Sequence, residues 1–340
     1  MKALQWMERG TVKVNDLPVP TIKNHEVLIR VKSAAICGTD LHIVTKGFPG
    51  TAPPLTLGHE FAGVIEQIGS EVSGWTVGDR VAVEPISICG QCEYCLGSNY
   101  DLCDSFLEAG FSYDGGIAEF VVADAAHIYP LPDTISFQEA AVLEPLGNIV
   151  RAVERGRVAG AQSVIVIGDG FEGLLFAQMA KKSGVPKVIV VGRHDYKLAI
   201  AKETGADFVI NGKSEDAVQA ALLLTEGRGA EVVFEAAGTE LSIQQALTLV
   251  KKGGRMVLFG VCEELVPLDV YKIMQQEIEI IGSVGHAGVW EQSIQHVADR
   301  SATVAPYLRT QVPFASVETA FQQMINKEIE AVKVIVNMEA

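Results

Sequence analysis

Residues 163–173 read S-V-I-V-I-G-D-G-F-E-G, and the next nine, L-L-F-A-Q-M-A-K-K, have helical composition. A β-branched run that breaks into G-x-G-x-x-G and then opens a helix is a strand–turn–helix unit. Gly168, Gly170 and Gly173 allow a tight turn and close backbone approach, so the helix N-terminus can face a pyrophosphate. A glycine pattern alone is weak evidence; its place between a strand and a helix gives it weight. Two carboxylates, Asp169 and Glu172, share the turn. Glu172 suits a helix N-terminus electrostatically, yet competes there with a diphosphate.

Downstream, the same alternation repeats. K-V-I-V-V-G (187–192), A-D-F-V-I-N (206–211), A-E-V-V-F-E-A (230–236) and G-R-M-V-L-F-G (254–260) are near-continuous apolar runs separated by helical stretches. Strands covered on both faces read this way, which predicts a doubly wound parallel sheet. I-E-I-I-G-S-V-G (278–285) supplies a sixth strand. An acid at the end of the second strand would hold the adenosine ribose hydroxyls of NAD. This chain has Gly192, then Arg193 and His194. Loss of the acid and gain of a guanidinium suit a 2′-phosphate, so NADP is expected over NAD. In the alternative, Arg193 is merely solvated and Asp195 turns back to the ribose.

Upstream the character differs. V-L-I-R-V-K-S-A-A-I (27–36), F-A-G-V-I-E-Q-I-G (61–69) and D-R-V-A-V-E-P (79–85) are short strands between Gly- and Pro-rich turns. They predict an irregular β-barrel or sandwich to about residue 130. Residues 132–155 have helical spacing, with Ser136 and Glu139 as a capping box. After residue 285 come an amphipathic helix, W-E-Q-S-I-Q-H-V-A-D-R, and a strand, A-V-K-V-I-V-N-M, which can complete the first domain. The expected boundaries are 1–147, 148–284 and the return at 285–340.

C-G-Q-C-E-Y-C-L-G-S-N-Y-D-L-C places Cys89, Cys92, Cys95 and Cys103 within fifteen residues. Four thiolates so spaced can close around one zinc, and an iron–sulfur cluster accepts the same number. A closed site leaves no position for chemistry, so its expected job is structural. A second donor set is spread along the chain: Cys37, His59 and Glu60. Thiolate, imidazole and carboxylate from separated segments suit a catalytic zinc with room for substrate. Cys262 follows a strand and is expected to be a buried apolar residue. His25, His127, His194, His286 and His296 carry no metal motif.

The chain has 340 residues, 48% of them hydrophobic and 20% charged, as a folded two-domain protein should. A net charge of −15 argues against nucleic-acid partners. No apolar run approaches the ~20 residues needed to span a bilayer, and M-K-A-L-Q-W-M-E-R-G lacks a signal-peptide core. A cytoplasmic protein with no membrane partner is expected. Its cysteines then serve metals or catalysis more readily than disulfides.

Taken together, C-G-T-D-L-H (37–42), L-G-H-E-F-A-G (57–63), V-G-D-R-V-A (77–82), the cysteine lobe, D-G-G-I-A-E-F (114–120), L-E-P-L (143–146) and the glycine turn resemble the zinc-dependent medium-chain dehydrogenases. The resemblance is strongest to the sorbitol and polyol branch, with threonine dehydrogenase as a neighbour, and covers essentially the whole chain. It implies an α/β fold: a GroES-like barrel with the lobe at 89–103, plus a Rossmann domain. It also implies one catalytic and one structural zinc. Cys37 and His59 would be catalytic ligands, with Glu60 and Glu144 ligating directly or through water. Without the resemblance, Glu144 reads as a helix N-terminal acid ahead of Pro145. Thr39 and His42 match the family's proton relay, and hydride would pass between a secondary alcohol and NAD(P). Relatives of this branch are commonly tetramers, so a homo-oligomer, tetramer or dimer, is expected. The acidic turn and Gly192 depart from the family pattern. Two other readings stand beside the polyol one: a threonine-type amino-alcohol dehydrogenase, and a non-catalytic nucleotide-binding zinc redox sensor.

Overall fold

The computed structural model describes residues 1–339, and these divide into two compact units. The first comprises Met1–Pro145, Ala287–Asp299 and Tyr307–Ala340; the second comprises Leu146–His286 and Arg300–Pro306. Residues 300–306 thus join the second unit rather than completing the first, unlike the expected single return from 285 onward.

The first unit begins with β1 (Lys2–Glu8), β2 (Thr11–Asp16), β3 (Glu26–Ile36), α1 (Gly38–Lys46), β4 (Leu55–Thr56), β5 (Glu60–Ile68) and β6 (Arg80–Val83). Next come β7 (Ile86–Ser87), α2 (Glu93–Leu96), β8 (Leu107–Glu108), β9 (Phe120–Asp124) and β10 (Ile128–Pro130). β3 is the spine. Its eleven residues pair antiparallel with β5 and, over their first half, with β9. Register shifts between Leu28 and Ile29 and between Val31 and Ser33 bend the ladder. Val27, Leu28, Ile29 and Val31 are buried, and each such side chain contributes about 1.5–3 kcal/mol over an exposed one.

The helical stretch that leads into the second unit is two helices, not one: α3 (Phe137–Ala140) and α4 (Leu143–Arg155). The Ser136–Glu139 capping box starts α3, the serine hydroxyl accepting from the Glu139 N–H at 3.2 Å. Pro145 is the reason for the restart. Proline lacks an N–H and is tolerated in a helix's first turn, where that donor has no partner anyway. In α4 it is the third residue.

The second unit alternates β11 (Ser163–Ile167), α5 (Phe171–Lys182), β12 (Lys187–Gly192), α6 (Asp195–Thr204), β13 (Phe208–Asn211), α7 (Ala217–Leu224), β14 (Ala230–Glu235), α8 (Glu240–Leu249), β15 (Val250–Leu258), α9 (Val270–Gln275) and β16 (Glu279–Gly282). All six strands are parallel, in the order β13-β12-β11-β14-β15-β16. The order reverses beside β11, the switch point where such sheets bind ligands at their strand C-termini. The expected doubly wound sheet is present, and the glycine turn lies at that end of β11.

The chain closes with α10 (Trp290–Ala298), β17 (Thr310–Pro313), α11 (Val317–Ile325) and β18 (Val334–Asn337). β18 lies between β17 and β3 in the seven-stranded sheet of the first unit. No helix among the described residues is long and apolar enough to cross a membrane.

Candidate metal centre and dinucleotide turn

Cys37 is the N-cap of α1, immediately after β3, and His59 immediately precedes β5. Ala35 pairs with Glu60 across the antiparallel ladder, so the two strand ends meet despite their separation in sequence. One ligand atom each from Cys37, His59 and Glu60 falls within 4.8 Å of the others. Asp40 holds the turn. One of its carboxylate oxygens accepts the Cys37 N–H at 2.8 Å, and the other lies 3.6 Å from His59 Nδ1. Thr39 Oγ1 is 3.5 Å from Cys37 Sγ, and His42 follows on the same helix. Phe111 lies against the His59 ring at 5.0 Å, and Phe48 stands edge-on to both Phe111 and His42.

Glu60 is fully buried and one of its oxygens accepts from Lys333 Nζ at 2.6 Å. Its other oxygen is buried without a hydrogen-bond partner. A desolvated carboxylate oxygen with nothing to bond is costly unless a cation meets it. With a thiol and an imidazole beside it, the donor set fits zinc. Burial pushes the Glu60 carboxyl up, while Lys333 and His59 pull it back. Burial also pushes the Cys37 thiol up. His59 is drawn down by burial, but Asp40 and Cys37 outweigh this and leave it well above its usual value. Glu144 is buried and close enough for its charge to raise Glu60, but it lies outside the group of three. Lys333 and Asp40 escaped sequence reasoning. The only signal for Lys333 was a lysine inside an otherwise apolar run.

The four lobe cysteines form the second group of convergent ligand atoms. Sulfur–sulfur separations are 3.5 Å for Cys92–Cys95 and Cys89–Cys103, and 3.9 Å for Cys89–Cys95. Backbone N–H groups of Gln91 and Cys92 bring the Cys89 thiol down to about 6, whereas burial pushes Cys95 up to about 12. Four sulfurs at these spacings match a closed tetrahedral site. Beneath the lobe lies a buried polar cluster. The Glu84 carboxylate accepts from the Tyr100 hydroxyl at 2.8 Å and the Tyr129 hydroxyl at 3.1 Å, and His127 Nδ1 is 2.9 Å away. Tyr100 also accepts the Gly288 N–H at 3.1 Å, and Asp101 accepts that of Ala287 at 2.7 Å.

In the second unit, a Cβ on Gly173 would sit 2.1 Å from the Gly168 carbonyl oxygen, so only glycine lets α5 start against the turn. A Cβ on Gly170 would meet only a Glu172 carboxylate oxygen, 3.4 Å away, so the backbone there is approached by no other group but the second acid of the turn stands beside it. These features fit a bound pyrophosphate. Asp169 is buried and reaches across to the end of β12. Its Oδ2 accepts the Arg193 N–H at 2.6 Å and the His194 N–H at 2.8 Å, and the His194 ring nitrogen lies 3.1 Å away. A Cβ on Gly192 would lie 2.6 Å from Asp169 Cβ. The expectation of NADP took Gly192 as the loss of an acid. The acid is present there after all, contributed by the turn, and Gly192 makes room for it. Cys262, expected to be buried, is half-exposed.

A parallel nucleotide-binding sheet and a Cys/His/Glu metal set on a β-barrel define a metal-dependent oxidoreductase of the dehydrogenase class. The chain belongs to the zinc-dependent medium-chain dehydrogenases: residues 23–133 match the alcohol dehydrogenase GroES-like domain and residues 173–299 the zinc-binding dehydrogenase domain. It is 33% identical to a sorbitol dehydrogenase of Bacillus subtilis over 99% of this chain and 97% of that one. It is 34% identical to an L-threonine 3-dehydrogenase of the same organism over 95% of each. Among solved structures, a putative zinc-binding dehydrogenase from Sinorhizobium meliloti bound to NADP matches with a TM-score of 0.92 and 29% identity, over 99% of both chains. The protein is an alcohol or polyol oxidoreductase working with NAD(P).

Proposed function

We propose that the chain oxidises a secondary alcohol of a polyol or sugar-derived substrate, and runs the reverse reduction, with metal chemistry in the first unit and dinucleotide binding in the second. The observation carrying this reading is the buried trio Cys37, His59 and Glu60, with one Glu60 oxygen left unbonded. Bound there, zinc supplies Lewis acidity toward the substrate oxygen, and bound NAD(P) supplies the hydride acceptor. The side chains do the rest. Cys37 and His59 hold the metal, and Glu60, clamped by Lys333, holds it directly or through water, with Glu144 adding negative charge. Thr39 takes the hydroxyl proton of the substrate and passes it to His42, one turn further along α1. Asp40 fixes the Cys37 backbone by a hydrogen bond and places a carboxylate oxygen near the His59 ring. The cysteine lobe holds a second, structural zinc.

Gly168, Gly170 and Gly173 receive the pyrophosphate, and Gly192, Arg193 and His194 the adenosine ribose. The carboxylate of Asp169 at that point supports NAD over NADP, the reverse of the order expected from Gly192 and Arg193. The NADP in the Sinorhizobium relative supports the other order. Similarity to a threonine dehydrogenase supports a second reading, in which the alcohol is an amino alcohol. A homo-oligomer is supported by exposed apolar residues in the segment that leads into the edge strand β16, and a cytoplasmic location by the reduced thiols a zinc lobe requires. The test is reduced-nicotinamide absorbance over a panel of polyols, sugar acids and threonine, before and after metal removal. Turnover that survives in metal-free protein would overturn the reading.

A further inference from the structure

In the second unit a carboxylate stands at the end of β12, but it comes from the glycine turn and not from that strand. We infer that Asp169, in the glycine turn, sets the choice between NAD and NADP by occupying the anion position at the end of β12; the inference rests on reading that unit as the cofactor domain. Three observations carry it. First, Asp169 and Gly192 are sterically reciprocal: a Cβ at 192 would lie 2.6 Å from Asp169 Cβ and 2.7 Å from its Oδ2. The turn residue fills the volume that a strand-end side chain would take. Second, the two backbone N–H groups that precede α6, those of Arg193 and His194, both point at Asp169 Oδ2, at 2.6 and 2.8 Å. Consecutive N–H groups at a helix start are the donors a phosphate would use, and here a carboxylate has taken them. Third, the His194 ring nitrogen also faces this carboxylate, 3.1 Å from Oδ2 and 3.2 Å from Oδ1. One side chain that could meet a 2′-phosphate is thereby engaged with this carboxylate, while the rest of its ring stays exposed.

The consequence is electrostatic. A dianionic 2′-phosphate placed here meets a fixed negative charge and finds its natural donors in use. A ribose 2′-hydroxyl meets an acceptor, because Oδ1 carries only the long contact to His194. Arg193 remains as an opposing charge on the surface, so removing the carboxylate alone should be enough to change the preference.

The test is direct binding. NADH and NADPH are titrated into wild type, Asp169→Asn and Asp169→Ser, following calorimetric heat or quenching of protein fluorescence, with thermal melts in parallel. Wild type should bind NADH about tenfold or more tighter than NADPH, and Asp169→Asn should shift that ratio toward NADPH by about tenfold. A wild type that prefers NADPH overturns the inference while leaving the dehydrogenase reading intact. So does an Asn or Ser variant that weakens both dinucleotides alike, which would make Asp169 only a brace for the turn. If the variants do not fold, the wild-type ratio decides alone. Binding of neither dinucleotide to wild type would sink the cofactor-domain reading, and this inference with it.

Discussion

At the scale of single residues, the site is governed by a buried charge and its partner. Glu60 and Lys333 are 0% and 3% exposed and 2.6 Å apart. Breaking such a pair by removing one member leaves an uncompensated charge, at a cost of about 3–5 kcal/mol. Lys333→Met should therefore lower stability in urea by that order, and adding Glu60→Gln should recover most of the loss. If the single variant melts like wild type, Lys333 is not the counter-charge described. Cys37→Ser should abolish turnover and lose one equivalent of zinc per chain by atomic absorption, with the thermal midpoint little changed. Retained zinc and activity would remove Cys37 from the site. The sequence made Cys37, His59 and Glu60 readable because each belongs to a short motif. It hid Lys333 because lysine in an apolar strand looks like an outward-facing residue until the strand's neighbours are known.

Among the elements, the cysteine lobe was legible and its support was not. Four cysteines within fifteen residues announce themselves. Glu84, Tyr100, His127 and Tyr129 come from different segments, and each alone is an ordinary polar residue. The pairing of β6 with β10 sets Glu84 beside His127 and Tyr129, and the lobe brings Tyr100 onto the same carboxylate. The two-helix form of residues 137–155 was likewise missed, since apolar spacing runs on through the break and only Pro145 marks it. The cluster has a measurable signature. Burial, reinforced by the Glu84 carboxylate, holds the Tyr100 and Tyr129 phenols well above their usual range, and burial does the same for Tyr113. Ionisation is thus disfavoured in the folded state. The stabilisation is complete below the unfolded value of about 10 and is lost as pH rises toward the folded values. An absorbance titration of the native protein to about pH 11 should fall at least three tyrosines short of the seven in the chain. Full ionisation there, with the fold intact by circular dichroism, would contradict the cluster.

Over the whole molecule, the parallel sheet of the second unit followed from the strand–helix alternation, because parallel strands covered on both faces have an unmistakable apolar pattern; the order of its strands came only from the structure. The segment that leads into its outer strand β16 carries Leu265, Tyr271 and Met274, which are 99%, 69% and 63% exposed. An apolar patch at an open sheet edge is a place for a second copy. Light scattering should give a mass of at least twice the 36.4 kDa chain, and Tyr271→Glu with Met274→Glu should return it to the monomer. A monomeric wild type would refute this. The place of β18 has a consequence in time. Lys333 enters the first unit 273 residues after Glu60. At about 5–20 residues per second, a ribosome takes some tens of seconds to travel that far. Until then the nascent barrel must keep Glu60 hydrated or protonated, so the metal pocket cannot reach its finished form early in translation. A chain released before residue 333 would hold every zinc donor and still lack the cation that lets one of them stay buried.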